Sequence, residues 1–228
     1  MTPSALPRMK PIASTLFHRV LPPGKASGGV HPTVIMLHGR GADEEDLIGL
    51  SSYHDQRLLI LSVRAPFPYP GGGFTWYDAG AIGTPEPAMF RSSYEKLAQF
   101  VDDALAHYPV DRERLYLLGF SMGTVMSYAL SLTKPELFRG VVAHSGYVPE
   151  GTALTFRWQQ LAHLHYFIAH GSADPVIPVE FARHARELFS ASNAAIVYRE
   201  YPMGHEINQQ SVSDSAAFLG GLVNTKEH

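Results

Sequence analysis

The chemistry of this sequence concentrates on a serine set between two glycines. In Gly119-Phe120-Ser121-Met122-Gly123 the serine follows an apolar run at 115–120 and precedes a stretch with helical spacing. That places Ser121 at the apex of a strand, a sharp turn and a helix. Glycines two residues to either side let strand and helix approach closely, while the serine hydroxyl projects from a strained backbone. The plainer alternative is a tight glycine turn whose hydroxyl caps the next helix. A serine hydroxyl attacks a carbonyl well only when an imidazole takes its proton and later returns it to the leaving group. Where a serine stands on such a turn, the carboxylate follows it in the chain and the histidine comes last.

That order narrows the 12 histidines. His205, in Tyr201-Pro202-Met203-Gly204-His205-Glu206, lies just past an apolar run and before the last helical segment. His144 and His170 close strand-like segments and are expected to make satisfied structural hydrogen bonds. His163, His165 and His184 fall in helical or strand-leading segments, and His228 ends the sequence. For the carboxylate, Asp174 in His170-Gly171-Ser172-Ala173-Asp174-Pro175 follows an apolar run, in a turn set by the proline. Its task is to hold the imidazole tautomer and stabilise the imidazolium. The alternative is an Asx-turn or helix cap, and Glu206, Asp214 and Glu200 are the reserve acids. Acyl transfer also needs donors aimed at the developing oxyanion. The backbone N–H of Met122, next after the serine, and that of Arg40, in the loop Leu37-His38-Gly39-Arg40-Gly41-Ala42-Asp43, stand in the expected places. The Arg40 side chain is then left to solvent or to an anionic substrate.

These residues need a scaffold. Apolar runs at 33–37, 58–63, 115–120, 140–143, 166–169 and 196–201 mostly lack alternation, as strands buried on both faces do. Segments 44–53, 92–108, 122–133, 179–191 and 209–222 have helix-compatible spacing. The alternation predicts an α/β class with a mostly parallel central sheet flanked by helices. Residues 15–20 suit an antiparallel edge strand. In 92–108, Tyr94, Leu97, Phe100, Val101, Leu105 and Tyr108 recur at threes and fours, a stripe for packing on the sheet. The insert 65–87 is too long for an ordinary connection. It reads as a substrate-binding loop, with Phe74, Trp76 and Tyr77 as contacts and Val176 as a further one. The alternative is a surface excursion whose aromatics pack on the sheet edge.

The bulk composition agrees with one domain spanning 1–228, its residues 1–14 a loosely ordered N-terminal segment. Of the 228 residues, 45% are hydrophobic and 17% charged, so a sizeable core is available. The net charge of −3 gives no broad positive field, which argues against nucleic acid as a partner. With no cysteine, thiol nucleophiles, disulfides and thiolate metal sites are excluded. No run of eighteen apolar residues suggests a membrane span. The proline-broken opening has no apolar run suited to a signal-peptide core, and the expected location is cytoplasmic.

HGRGAD, GFSMG, HGSADPVIP and GHEI together resemble the carboxylesterase and acyl-protein-thioesterase family of small α/β-hydrolases, over about residues 30 to 210. RAPFPYPGGGFTWYD is similar to that family's stretch in which an aromatic pair precedes an aspartate. The resemblance implies an α/β-hydrolase fold without a large cap domain. It puts Ser121, Asp174 and His205 in the catalytic places, and the residues after His38-Gly39 and after the serine in the oxyanion places. Family members often carry Gln after the nucleophile, where this chain has Met122. The expected activity is hydrolysis of short-to-medium acyl carboxylic esters through an acyl-serine, with a small-molecule ester as partner and no cofactor or metal. Thioesters or lysophospholipids could be handled by the same residues, and a non-catalytic ligand-binding protein on this scaffold is the reading from another class. A homodimer is suggested by analogy with the family alone.

Overall fold

A computed structural model describes residues 9–25 and 29–225. Seven strands form the main sheet: β1 (His18–Leu21), β2 (His31–Leu37), β3 (Leu59–Val63), β4 (Val110–Phe120), β5 (Gly140–His144), β6 (His165–Gly171) and β7 (Ala195–Tyr201). Their order across the sheet is β1-β3-β2-β4-β5-β6-β7. Only β1 is antiparallel, pairing with β3, as the edge-strand expectation held. The other pairings are parallel. Every residue of β2, β3 and β5 is buried, which is why these runs show no polar alternation.

Successive strand residues point to opposite faces and so build two cores. On one face Ile35, Leu37, Leu59, Leu117, Val141 and Ile168 pack with residues of α1 (Pro87–His107), α2 (Met122–Thr133) and α3 (Glu180–Ser190). On the other, Val34, Met36, Ile60, Leu118, Val142 and Phe167 pack with Leu219, Leu222 and Val223 of α4 (Gln209–Asn224). The helix that follows Ser121, α2, is buried along almost its whole length.

Two expectations need correction. Segment 44–53 forms only a 3-10 turn, Leu47–Tyr53, in which Leu47 alone is buried. Four successive acidic residues, Asp43 to Asp46, and Gly49 leave no apolar stripe to hold an α-helix against the sheet. Helix α1 starts earlier than 92, because Pro87 suits its first position and the Glu86 carboxylate accepts from the N–H groups of Ala88 and Met89 at 3.0 and 2.6 Å. Of the N-terminal segment 1–14, residues 1–8 lie outside the described residues, and the remainder touches α1 and Tyr108, just before β4. There the Ile12 N–H donates to the Tyr108 hydroxyl at 2.9 Å and the Ser14 hydroxyl to Asp103 at 2.6 Å. The insert 65–87 folds into two small hairpins, Phe67–Pro68 with Phe74–Thr75 and Ala79–Ala81 with Thr84–Pro85.

Candidate active site

Ser121 stands between β4 and α2 with φ 54° and ψ −119°, a conformation that L-residues rarely adopt. The strain is held by close packing. A Cβ on Gly119 would lie 2.5 Å from the carbonyl carbon of Gly123, and one on Gly123 would lie 1.8 Å from the Leu37 carbonyl oxygen. Glycine at both positions is therefore a steric requirement, and the turn is pressed against the end of β2. The Ser121 N–H donates to the His144 carbonyl at 2.9 Å, which pins the turn to β5.

The next two parallel strands deliver the partners. Asp174 follows β6 and His205 follows β7, and the two loops meet at Gly171, where a Cβ would lie 2.2 Å from the Gly204 carbonyl oxygen. His205 Nε2 lies 2.9 Å from Ser121 Oγ, and its Nδ1 lies 2.7 Å from Asp174 Oδ2. The other carboxylate oxygen, Oδ1, accepts from the N–H groups of Val176 and Ile177 at 2.8 and 2.9 Å. One oxygen therefore closes an Asx-type turn while the other faces the imidazole. The Phe120 ring packs on the His205 ring with centroids 5.0 Å apart. Beneath them, His170 Nε2 donates to the Ile177 carbonyl at 2.8 Å and lies 3.4 Å from Asp174 Oδ2.

His144 departs from the satisfied hydrogen bond expected of it. It is fully buried, and neither ring nitrogen has a partner among the described residues; the same holds for His54. Burial pushes the His144 imidazole down to about 3 and that of His54 to about 4.

The loop after β2 is clamped from several sides. His38 Nε2 accepts from the Ala65 N–H at 3.0 Å, so its proton is on Nδ1, which donates to the Gly39 carbonyl at 2.6 Å. Burial lowers the pKa of this ring and keeps it neutral. The Trp76 indole N–H donates to the His38 carbonyl at 2.9 Å. Phe74 joins the loop through its backbone, accepting from Gly41 N–H and donating to the Ala42 carbonyl, both at 2.8 Å. The Arg64 guanidinium, paired with Glu44 at 2.5 and 2.6 Å, lies over the Phe74 ring at 4.5 Å. Trp76 and Phe74 thus hold the loop from behind, and neither is among the residues that line the cleft.

The cleft has a volume of about 620 Å³ and is lined by Ser121, His205, Arg40, Met122, Tyr77 and Val176, all expected at or near the site. Tyr147 and Ile82 line it too and escaped sequence reasoning. Tyr147 follows β5, where no motif marks it. Ile82 sits in a hairpin whose register only the tertiary structure reveals. Arg40 and Met122 line the cleft with Ser121, and first-turn N–H groups such as that of Met122 have no intrahelical acceptor. The Thr75 hydroxyl donates to the Tyr77 carbonyl at 2.8 Å and lies 3.4 Å from the Met122 sulfur. Such a site sets a hydroxyl and an imidazole within hydrogen-bond reach in an open cleft. Among the described residues, no three His, Asp or Glu side chains are grouped to hold a metal ion, no helix is long and apolar enough to cross a membrane, and no helical cap covers the cleft.

Residues 24–222 match a family model described as Phospholipase/Carboxylesterase. An acyl-protein thioesterase 1 from Mycosarcoma maydis is 28% identical over 228 aligned positions, covering 86% of this chain and 93% of that protein. Among solved structures, the Bacillus cereus carboxylesterase superposes with a TM-score of 0.80 at 23% identity, covering 91% of this chain and 94% of the other. A carboxylesterase from Mesorhizobium loti gives the same score and identity, with 91% and 96% covered. At that identity the likeness speaks for the fold, which is the α/β-hydrolase fold.

Proposed function

The chain belongs to the phospholipase/carboxylesterase family, a family of ester hydrolases, and we propose that it is a serine carboxylesterase acting on short-to-medium acyl esters through an acyl-serine intermediate. The observation that carries this reading is the hydrogen-bonded chain from Ser121 Oγ through His205 to Asp174, opening into the cleft. Ser121 Oγ attacks the ester carbonyl carbon as His205 Nε2 takes the hydroxyl proton. Asp174 Oδ2 accepts from Nδ1–H, fixing the tautomer and stabilising the imidazolium. The carbonyl oxygen becomes an oxyanion between the Arg40 and Met122 amides. When the tetrahedral adduct collapses, the bond to the leaving oxygen breaks and His205 protonates the departing alcohol. Water then attacks the acyl-Ser121 carbonyl, giving its proton to His205, and the acid leaves as Ser121 regains its proton.

Thioester hydrolysis follows the same steps, and the fungal relative named a thioesterase favours it as the second reading. The test is a chain-length series of nitrophenyl esters with the native protein and Ser121→Ala. Turnover that is highest for short-to-medium acyl groups and absent in the variant is expected. Tight binding of an ester without turnover by the folded native protein would overturn the hydrolase reading and favour a ligand-binding protein. Matched oxygen and sulfur esters, compared by kcat/KM, decide between the two hydrolytic readings.

A further inference from the structure

Tyr77 and Tyr147 present their phenol oxygens to each other at 3.0 Å in the wall of the cleft that holds Ser121. Both side chains are buried, at 0% and 5% exposure. Two phenols bring two O–H hydrogens, and only one can lie between the two oxygens. Tyr147 also meets the backbone of Gly83, and whichever tyrosine donates to the other, one hydroxyl keeps a hydrogen with no further side-chain acceptor among the described residues. A buried donor without an acceptor is costly, and a polar group set in a largely apolar pocket serves to orient what binds there. Arg40 lines the same cleft and makes no ion pair among the described residues, its guanidinium lying 5.8 Å from the Tyr69 ring. Asp46 is the carboxylate on this lining, so the cleft is not uniformly positive and the hydrogen-bond donor sets the selection.

We propose that the Tyr77–Tyr147 pair selects ester substrates carrying a second oxygen acceptor, a carbonyl or carboxylate oxygen, away from the scissile carbonyl. This rests on the serine hydrolase reading and adds a substrate class to it. The unspent hydroxyl hydrogen donates to that acceptor, and a plain hydrocarbon chain leaves the donor unmet.

Three ethyl esters of matched length form the test: ethyl pentanoate, ethyl 4-oxopentanoate and monoethyl succinate, with product acids measured by chromatography. In the native protein, kcat/KM for one or both acceptor-bearing esters is expected to exceed that for the pentanoate by about tenfold or more. In Tyr77→Phe/Tyr147→Phe that ratio should fall to near one. Replacing both partners of a buried hydrogen bond by apolar groups of the same shape is nearly neutral for stability, and a melting curve checks that the variant folds. A native ratio at or below one overturns the inference while leaving the hydrolase reading intact, and that arm needs no variant. A preference for the succinate alone that survives in the double variant also overturns it, because charge from Arg40 would then do the selecting. No hydrolysis of any ester, nitrophenyl esters included, removes the inference together with the reading beneath it.

Discussion

At Asp174 two sets of contacts are carried by two different oxygens, so the turn and the proposed orienting role can be separated chemically. In Asp174→Asn the side-chain oxygen can still accept from Val176 and Ile177, and the turn should persist. The amide nitrogen would then face His205 Nδ1 and force the opposite tautomer. The expected result is a kcat loss of about 10⁴-fold with a stability change of only about 1 kcal/mol. Steady-state kinetics with urea unfolding measure both, and a variant that keeps most of its kcat would contradict the orienting role. His38 acts at one remove, through the loop that carries the Arg40 amide. His38→Ala strands the buried Ala65 N–H, at a cost of about 1–3 kcal/mol. If the loop places an oxyanion donor, kcat should fall by up to about 10²-fold with KM little changed.

Among the elements, the meeting of the loops after β6 and β7 depends on one missing side chain. Gly171→Ala would thrust a methyl to 2.2 Å from the Gly204 backbone, and these loops carry Asp174 and His205. We expect a loss of at least about 2 kcal/mol in denaturant unfolding, and a fall in kcat larger than any change in KM. A variant of native stability and activity would show that the loops have slack there. The strands were readable because burial on both faces writes itself as unbroken runs of branched residues, as in Val34-Ile35-Met36-Leu37. That His205 comes within hydrogen-bond reach of both Ser121 and Asp174 follows from their chain order, because chain order tracks strand order in such a sheet. The cleft wall was not readable. Trp76 and Phe74 look like substrate contacts in a long aromatic loop, yet tertiary packing turns one under His38 and ties the other by its backbone to the Arg40 loop. Tyr147 and Ile82 reach the cleft only through contacts between segments far apart in sequence. The 3-10 turn at Leu47–Tyr53 shows the same limit from the other side, since helical spacing without an apolar stripe does not secure an α-helix.

For the molecule as a whole, the buried imidazoles of His54 and His144 tie stability to pH. Burial depresses them from 6.5 to about 4 and about 3. Below 6.5 the unfolded chain takes up protons that the folded protein refuses, so stability is fully present above 6.5 and declines on acidification until the folded values are reached. Each histidine contributes a slope of up to about 1.4 kcal/mol per pH unit. Burial lowers His18, His38 and His170 as well, adding in the same direction. Urea midpoints between pH 7 and pH 4.5 should fall steadily, and less steeply in His144→Leu. An unchanged slope in that variant would show that the imidazole is hydrated in the folded protein. The central claim is that the fold assembles an activated serine at one position. Its most direct test is the intact mass of the protein after reaction with a fluorophosphonate, with peptide mapping of the adduct, in the native chain and in Ser121→Ala. The account predicts a single adduct, mapped to Ser121 and absent from the variant; an unmodified native protein shown to be folded, or an adduct that persists in Ser121→Ala, would contradict it.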